Sequence, residues 1–186
     1  MEDAMDDAMM NIMNKVISRT SLSHTDDRTK KTIILRALED ALSEAFIPES
    51  MLEFLEVLEK LLLHRNSSNS NLISEAMKAA YCSIAVESTL KYLEAGTSNP
   101  RYGKAVKRIW KGKVHDMQSE GSSFLLSDEL KQWKSEIENS LLDGGVLEKL
   151  ACMGSTRRDA IRKLRAFLAE AWENLGLLES GRRINC

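Results

Sequence analysis

Two adjacent helical patterns between residues 72 and 117 constrain the fold of this chain most. The stretch from Ile73 to Val86 is almost wholly apolar, which favours a helix that is buried on most sides. After the turn at 97–100 the chain restarts with six basic residues between Arg101 and Lys113, interleaved with apolar side chains at helical spacing. We therefore predict a central buried helix, followed by a helix with one core face and one cationic face.

Composition places the chain among globular helical proteins. It has 186 residues, of which 43% are hydrophobic and 29% charged, with only two prolines and nine glycines. This length is sufficient for one domain with a substantial core. Because the formal net charge is −2, the chain is no polycation, and any attraction to nucleic acid must come from a local patch.

The N-terminal sequence, the apolar runs and the cysteines indicate the cellular compartment of the chain. The acidic start, MEDAMDD, is the opposite of a secretory leader, and charged residues interrupt every apolar run before membrane-spanning length. Three cysteines, Cys82, Cys152 and Cys186, are odd in number and form no paired motif. We expect reduced thiols inside a cell and no contact with a membrane.

The apolar periodicity predicts an all-α single domain of seven or eight amphipathic helices, packed as an irregular helical bundle. No alternating pattern typical of a strand occurs. The predicted domain covers residues 1–178 and is followed by a frayed tail at 179–186. The predicted helices lie at about 3–18, 26–46, 49–64, 72–95, 100–117, 128–142, 146–152 and 157–175.

Several positions within these helices are assigned from the pattern alone. The inner faces are predicted to include Ala45 in the second helix, either Leu58 or Glu59 in the third, and Leu141 in the sixth. Asn99 and Ser127 are predicted to cap helices, and Gly176 is predicted to end the last helix. The three tryptophans are predicted to anchor the core.

The sequence offers little catalytic chemistry. His24, His64 and His115 are scattered without a partner at metal-ligand spacing, and no glycine-rich phosphate-binding motif occurs. A Cys–His nucleophilic pair has no local signature, although such partners meet only in the fold. We expect a protein that is not an enzyme and that uses no cofactor or metal.

Two clusters of basic residues are candidate nucleic-acid contacts. Four of them share one side of the predicted fifth helix at three- and four-residue spacing, and a similar set opens the last helix. Such residues could neutralise phosphates. The alternative is an ordinary solvated face that balances acidic neighbours. The candidates are Lys104, Lys107, Arg108, Lys111, Arg158 and Arg162.

The first predicted helix carries an apolar, methionine-rich stripe. Met5, Met9, Ile12 and Val16 recur at helical spacing and would form a soft, adaptable surface. This stripe is a candidate for self-association or for binding another helical protein. The alternative is that it packs on the core of its own chain.

Four segments combine apolar and basic residues in a recognisable pattern: MKAAYCSIAVESTLKYL (77–93), RYGKAVKRIWKGKV (101–114), LLSDELKQWKSEIENSLLD (125–143) and RRDAIRKLRAFLAEAWENLG (157–176). These segments resemble the N-terminal helical region of plant telomere-repeat-binding-factor-like proteins. This family, of the Myb-type, homeodomain-like class, is nuclear and carries a Myb-type helix-turn-helix domain nearer the C-terminus. The resemblance covers about two thirds of the chain.

The resemblance implies a nuclear, telomere- or chromatin-linked interaction module, with the cytoplasm as the alternative location. Animal telomere-repeat factors carry an all-helical homology domain of similar size that dimerises and docks partner peptides. Here Trp110, Trp133 and Trp172 do not follow the Myb pattern, so we expect a fragment or short form without its DNA reader. The expected function is self-association or partner docking; the alternative is direct, non-specific nucleic-acid binding through the basic helix at 100–117.

Overall fold

The prediction of an all-α fold is confirmed. The computed structural model describes residues 11, 27–63, 73–93, 99–121 and 123–182, with side chains up to residue 176. We label the helices α1 (Asp27–Ser43), α2 (Met51–Leu63), α3 (Glu75–Leu90), α4 (Pro100–Ala105), a π-helical segment (Val106–Val114), α5 (His115–Glu120), α6 (Asp128–Asn139), α7 (Gly144–Ala151) and α8 (Thr156–Arg182). The three stretches between residues 100 and 120 follow one another without a break, and we call them the basic helix.

Helix α3 lies at the centre of the described bundle, as its apolar run predicts. It packs against α8 along its length, and against α2, α6 and the basic helix on its other sides. Every residue from 80 to 90 is buried. Two of its hydroxyls are satisfied locally, because Ser83 donates to the Ala80 carbonyl (3.0 Å) and Thr89 to the Ala85 carbonyl (2.8 Å), whereas the buried Ser88 hydroxyl has no hydrogen-bond partner among the described residues. The helix can therefore be enclosed without leaving the Ser83 and Thr89 hydroxyls unpaired.

Side-chain caps fix where several helices begin. The Asn99 side chain accepts a hydrogen bond from the Arg101 amide (3.0 Å), and the Ser127 hydroxyl oxygen accepts one from the Leu130 amide (3.1 Å). Both caps were predicted from the sequence and are confirmed. Each one satisfies an amide that has no partner within its own helix.

The end of α1 differs from the prediction. The helix stops at Ser43, and Ala45 is exposed with a φ of 51°, so its placement on the inner face is wrong. The Phe46 amide donates to the Ala41 carbonyl and the Ala45 amide to the Leu42 carbonyl, both at 3.0 Å. These two bonds form a Schellman turn, which satisfies the last carbonyls of the helix. The left-handed position is usually glycine, because a side chain is strained there.

Replacing Ala45 with glycine is expected to raise the free energy of unfolding by about 1 kcal/mol, because the left-handed conformation strains an alanine by about that amount. The Ala45 carbonyl, which accepts a bond from the Arg157 guanidinium, is kept in the variant. Denaturant unfolding measures the change. The control is Ala37→Gly in the interior of α1, which should lower stability by about 1 kcal/mol. A loss of stability in Ala45→Gly would contradict the assignment.

Two further boundaries correct the sequence prediction. Helix α6 ends at Asn139, so Leu141 lies beyond it and is 43% exposed instead of facing inward. Helix α8 continues through Gly176 to Arg182, so the prediction that Gly176 ends this helix is wrong. A single glycine in a helix interior lowers the stability of the helix by only about 1 kcal/mol. The favourable interactions of the neighbouring turns can offset this loss.

A buried carboxylate joins α2 to the loop that precedes α6. Leu58 and Glu59 were predicted as alternatives for the inner face of this helix, and both side chains are buried. Glu59 accepts hydrogen bonds from the amides of Phe124 (2.6 Å) and Leu125 (3.2 Å) and from the Ser123 hydroxyl (3.1 Å). This carboxylate thereby holds the loop so that Leu125 enters the core with no exposed area.

Candidate interaction surfaces

The predicted core face of the basic helix is confirmed. Tyr102, Val106, Ile109 and Trp110 are all buried, and Trp110 has no exposed area. The Trp110 indole donates to the Thr89 hydroxyl oxygen of α3 at 2.8 Å. Trp133 and Trp172 are only half-buried, so Trp110 is the tryptophan that anchors the described core most completely.

On one side, the basic helix is neutralised within the molecule. The Arg108 guanidinium binds both carboxylate oxygens of Glu49 (3.0 and 2.6 Å). The Lys113 ammonium lies 3.4 Å from a Glu53 oxygen and 3.3 Å from a Glu56 oxygen. These glutamates precede or belong to α2, so the two basic side chains attach the basic helix to α2.

The π-helical segment explains why Arg108 and Lys113 both point towards the glutamates next to and within α2. They are five residues apart, and in an α-helix of 3.6 residues per turn they would point in different directions. The hydrogen bonds of a π-helix span five residues, so residues at this spacing share one side. The wider turn also keeps Ile109 and Val114 on the buried face, where both have no exposed area.

The predicted basic cluster is therefore divided. Lys104, Lys107 and Lys111 are exposed, and within the described ranges no carboxylate forms an ion pair with them. We call these three residues the lysine row. Arg108 is also exposed but is bound to Glu49. The lysine row is the part of the cluster that remains available to an external anion.

The second basic set lies on a different helix, α8. Arg158 and Arg162 are exposed on α8, and Arg162 is paired with Asp159 at 2.5 Å. Helix α8 packs on α1 and α3, whereas the basic helix packs on α3 and α6. Direct helix packing therefore does not bring the two basic sets together.

The predicted self-association stripe lies outside the described residues. Met5, Met9, Ile12 and Val16 all precede Asp27, where the description of the bundle begins. Asn11 is described within that segment and is exposed. The role of the stripe remains a prediction.

A small apolar cavity lies between α1, α2, α3 and α8. Its volume is about 90 Å³, and five of its apolar lining residues are 8% exposed or less. Phe167, Ala171 and Leu175 follow one another at four-residue spacing on α8, so the small Ala171 leaves a gap between two large side chains. The apolar lining of this cavity is Leu35, Leu58, Leu62, Met77, Phe167, Ala171 and Leu175.

An apolar surface lies where α6 turns into α7. Leu142 is 90% exposed and Leu141 43% exposed. Helix α7 packs back on α6, where Lys149 lies 3.6 Å from Glu136, and it is anchored by the buried Leu150. A leucine so fully exposed contributes nothing to the core of its own chain. The sequence pattern misplaced Leu141 and gave no signal for Leu142.

Two buried titratable groups on α3 are held in their neutral forms. Burial raises the pKa of the Cys82 thiol to about 12, so this thiol stays protonated at neutral pH. Burial and the neighbouring Glu56 raise the pKa of Tyr81 well above its ordinary value, and its hydroxyl donates to Glu56 at 2.8 Å. Among the described residues no group of three or more His, Cys, Asp or Glu side chains could hold a metal ion.

None of the described helices is both long enough and apolar enough to span a bilayer.

Comparison of the chain with known protein families, with curated proteins and with solved structures finds no match in any of the three.

Proposed function

We propose that this chain is a non-enzymatic helical interaction module that associates with a second copy of itself through its methionine-rich stripe. The observation that carries the proposal is the exposed apolar surface at the α6–α7 turn, where Leu142 is 90% and Leu141 43% exposed. The stripe and this surface have matching chemistry, since methionine adapts to irregular apolar surfaces. Burial of the stripe against a second copy would supply an apolar contact that salt does not screen.

The resemblance to plant telomere-repeat-binding-factor-like proteins supports a nuclear, telomere- or chromatin-linked setting for this module. In that setting the partner is a second copy or another helical protein of the same assembly. Such a partner would cover the exposed Leu141 and Leu142 at the α6–α7 turn.

Charged substitutions in the stripe test this proposal. Met9→Asp and Ile12→Asp should abolish concentration-dependent association, because a carboxylate cannot be buried unpaired in an apolar contact. Asn11→Asp is the matched control, since Asn11 lies between these positions and is exposed. Sedimentation velocity at high salt is the measurement. Unchanged association in both stripe variants would exclude the stripe as the contact.

A second candidate function is non-specific nucleic-acid binding, and the lysine row favours it. Lys104, Lys107 and Lys111 lie exposed along one helix without an ion-pair partner among the described carboxylates. Lysines in this arrangement could contact the phosphates of a duplex, and each contact would contribute to the salt dependence of binding.

Two residues of the lysine row test this second candidate function. Replacing Lys107 and Lys111 with alanine should reduce the slope of log affinity against log salt for duplex DNA by about two. The matched control replaces Lys131 and Lys149, which are exposed elsewhere, and should leave the slope unchanged. Equal effects in the two double variants would indicate attraction by overall charge and not by the basic helix.

A further inference from the structure

An open cleft lies between α6 and the first turns of α8, and α3 forms its floor. Its cavity volume is about 270 Å³, which equals about nine water molecules and is enough for one long side chain. The floor consists of the buried Ser83 and Val86, whereas Glu129 and Met153 are exposed at its mouth. Solvent therefore reaches a pocket whose inner end is enclosed. We call it the tryptophan cleft, because the half-buried Trp133 lines it.

The lining of the tryptophan cleft combines apolar surface with negative charge. Trp133, Met153 and Val86 provide the apolar part, and Glu129 and Asp159 provide carboxylates. An apolar wall beside a carboxylate favours a ligand that carries a cation next to an apolar body.

The charged groups that contact the cleft do not balance. The Lys163 ammonium lies 3.1 Å from an oxygen of both Glu129 and Asp159, and Arg162 binds the other oxygen of Asp159 at 2.5 Å. The buried Glu87 is hydrogen-bonded to the lining of the cleft at 2.6 Å. Three carboxylates therefore meet two cations, and the remaining negative charge favours a cationic ligand.

Glu129 can accept a further hydrogen bond. Its Oε1 atom is bound by Lys163, and among the described residues no donor reaches Oε2. On the floor of the cleft, the Ser83 hydroxyl donates its proton to the Ala80 carbonyl, so its oxygen can only accept. These open positions require a ligand that donates hydrogen bonds.

An arginine side chain meets these requirements better than a lysine side chain. The guanidinium group is planar, stacks on an indole and carries its N–H donors in a fixed plane, whereas an ammonium group is compact and strongly hydrated. The apolar stem of arginine suits the surfaces of Met153 and Val86. A metal ion is not the expected ligand, because the described residues form no group of three or more ligands that could hold one.

The other half-buried tryptophan, Trp172, provides an internal comparison. It lines a cavity with Glu39 and Asp40, but Arg36 of the same chain also lines that cavity. A guanidinium is thus already present beside Trp172, whereas the described lining of the tryptophan cleft contains none.

We infer that the tryptophan cleft binds an arginine side chain of a partner protein, with the guanidinium on the Trp133 ring and hydrogen-bonded to Glu129. The inference goes beyond the proposed function, because it requires neither the methionine-rich stripe nor self-association. It assigns this side of α6 and α8 to a contact that depends on charge and weakens as salt is raised.

Titration of the full chain with a capped tripeptide that has arginine between two glycines, followed by heteronuclear NMR, tests the site. We expect the Trp133 indole N–H and the Gly154 amide signals to shift with a millimolar dissociation constant, while the Trp172 indole signal moves little. A citrulline tripeptide keeps the shape without the charge and should bind about tenfold more weakly, because it loses both the ion pair and the cation–π contact. Equal affinities for these two peptides, or no shift at Trp133, would overturn the inference.

A pair of glutamate variants on α6 provides the matched control. Glu129→Gln should weaken binding of the arginine tripeptide about threefold. Glu136→Gln makes the same change at a side chain that is also 47% exposed and also paired with a lysine, and it should leave the affinity unchanged. Trp133→Leu should weaken binding at least about threefold, because the aromatic face is lost. Equal losses in the two glutamate variants would assign binding to overall charge and overturn the inference.

The same signals distinguish a partner from a second copy. If the Trp133 and Gly154 signals move with protein concentration alone, and Glu129→Gln stops this movement, a second copy occupies the cleft and the inference is overturned. If the arginine tripeptide shifts these signals while the chain stays monomeric, the cleft is supported and the proposed self-association fails.

Discussion

Replacing Trp110 with alanine is expected to lower the free energy of unfolding by about 4 kcal/mol, the scale observed when a fully buried tryptophan is removed. Trp110 has no exposed area, and it lies in the π-helical segment between α3 and the charged surface of the basic helix. Its loss would leave a large cavity. It would also remove the indole N–H that donates a hydrogen bond to the Thr89 hydroxyl oxygen at 2.8 Å.

Denaturant unfolding measures this loss, and two variants separate its causes. Trp110→Phe keeps most of the apolar contact but removes the indole donor, so it should cost about 1–2 kcal/mol. Trp133→Ala is the matched control on a half-buried tryptophan of α6 and should cost clearly less than Trp110→Ala. Equal losses at the two tryptophans would contradict the burial assigned to Trp110.

Replacing Glu59 with alanine is expected to lower the free energy of unfolding by about 3 kcal/mol. The carboxylate is 5% exposed and accepts bonds from two backbone amides and one hydroxyl in the loop at 123–125. A hydrogen bond to a charged group contributes about 1.5–3 kcal/mol, and the total loss stays near the upper figure because Phe124 is 41% exposed, so that water can replace part of what the loop loses. The loop would lose its attachment to α2, and Leu125 would lose its fixed position in the core.

The conservative variant distinguishes this role from simple filling of space. Glu59→Gln has nearly the same volume and retains one oxygen that can accept the Phe124 amide, so it should lose about half as much stability as Glu59→Ala. Amide hydrogen exchange of Phe124 and Leu125 gives a local readout, and both amides should exchange faster in Glu59→Ala. Unchanged exchange at these two amides would show that the carboxylate does not hold the loop.

Local patterns predicted the architecture because helix formation depends on periodicity and caps. The apolar run of α3, the core face of the basic helix and the caps at Asn99 and Ser127 are all properties of short stretches of sequence. The end of α1 was missed because Ala45 occupies a left-handed position that usually requires glycine. Leu141 was misplaced because α6 ends two residues earlier than its apolar spacing predicts.

The arrangement of charges could not be predicted from local patterns. An α-helical spacing places Arg108 beside Lys104 and Lys111, whereas the π-helical segment turns Arg108 and Lys113 together towards the glutamates of α2. Those glutamates lie more than fifty residues away in sequence, so only the packed structure shows the pairing. For the same reason Glu59 gave no sign of its role, since its partners belong to a distant loop.

Because Arg108 is paired with a glutamate and the lysine row, in the described part of the chain, is not, different substitutions are needed to test nucleic-acid binding. Arg108 attaches the basic helix to Glu49, so a charge reversal there would disturb packing as well as any phosphate contact. Lys107 and Lys111 have no such structural partner among the described residues. Substitutions at these two lysines therefore test binding without disturbing the contact with α2.

Light scattering of the purified chain, across a range of concentrations and at two salt levels, tests the central claim most directly. If the stripe joins two copies, the mass should rise with concentration from 20.9 kDa towards twice that value, with little dependence on salt because the contact is apolar. A mass of 20.9 kDa at every concentration would contradict self-association. A dimer that dissociates as salt is raised would contradict the apolar stripe as its cause.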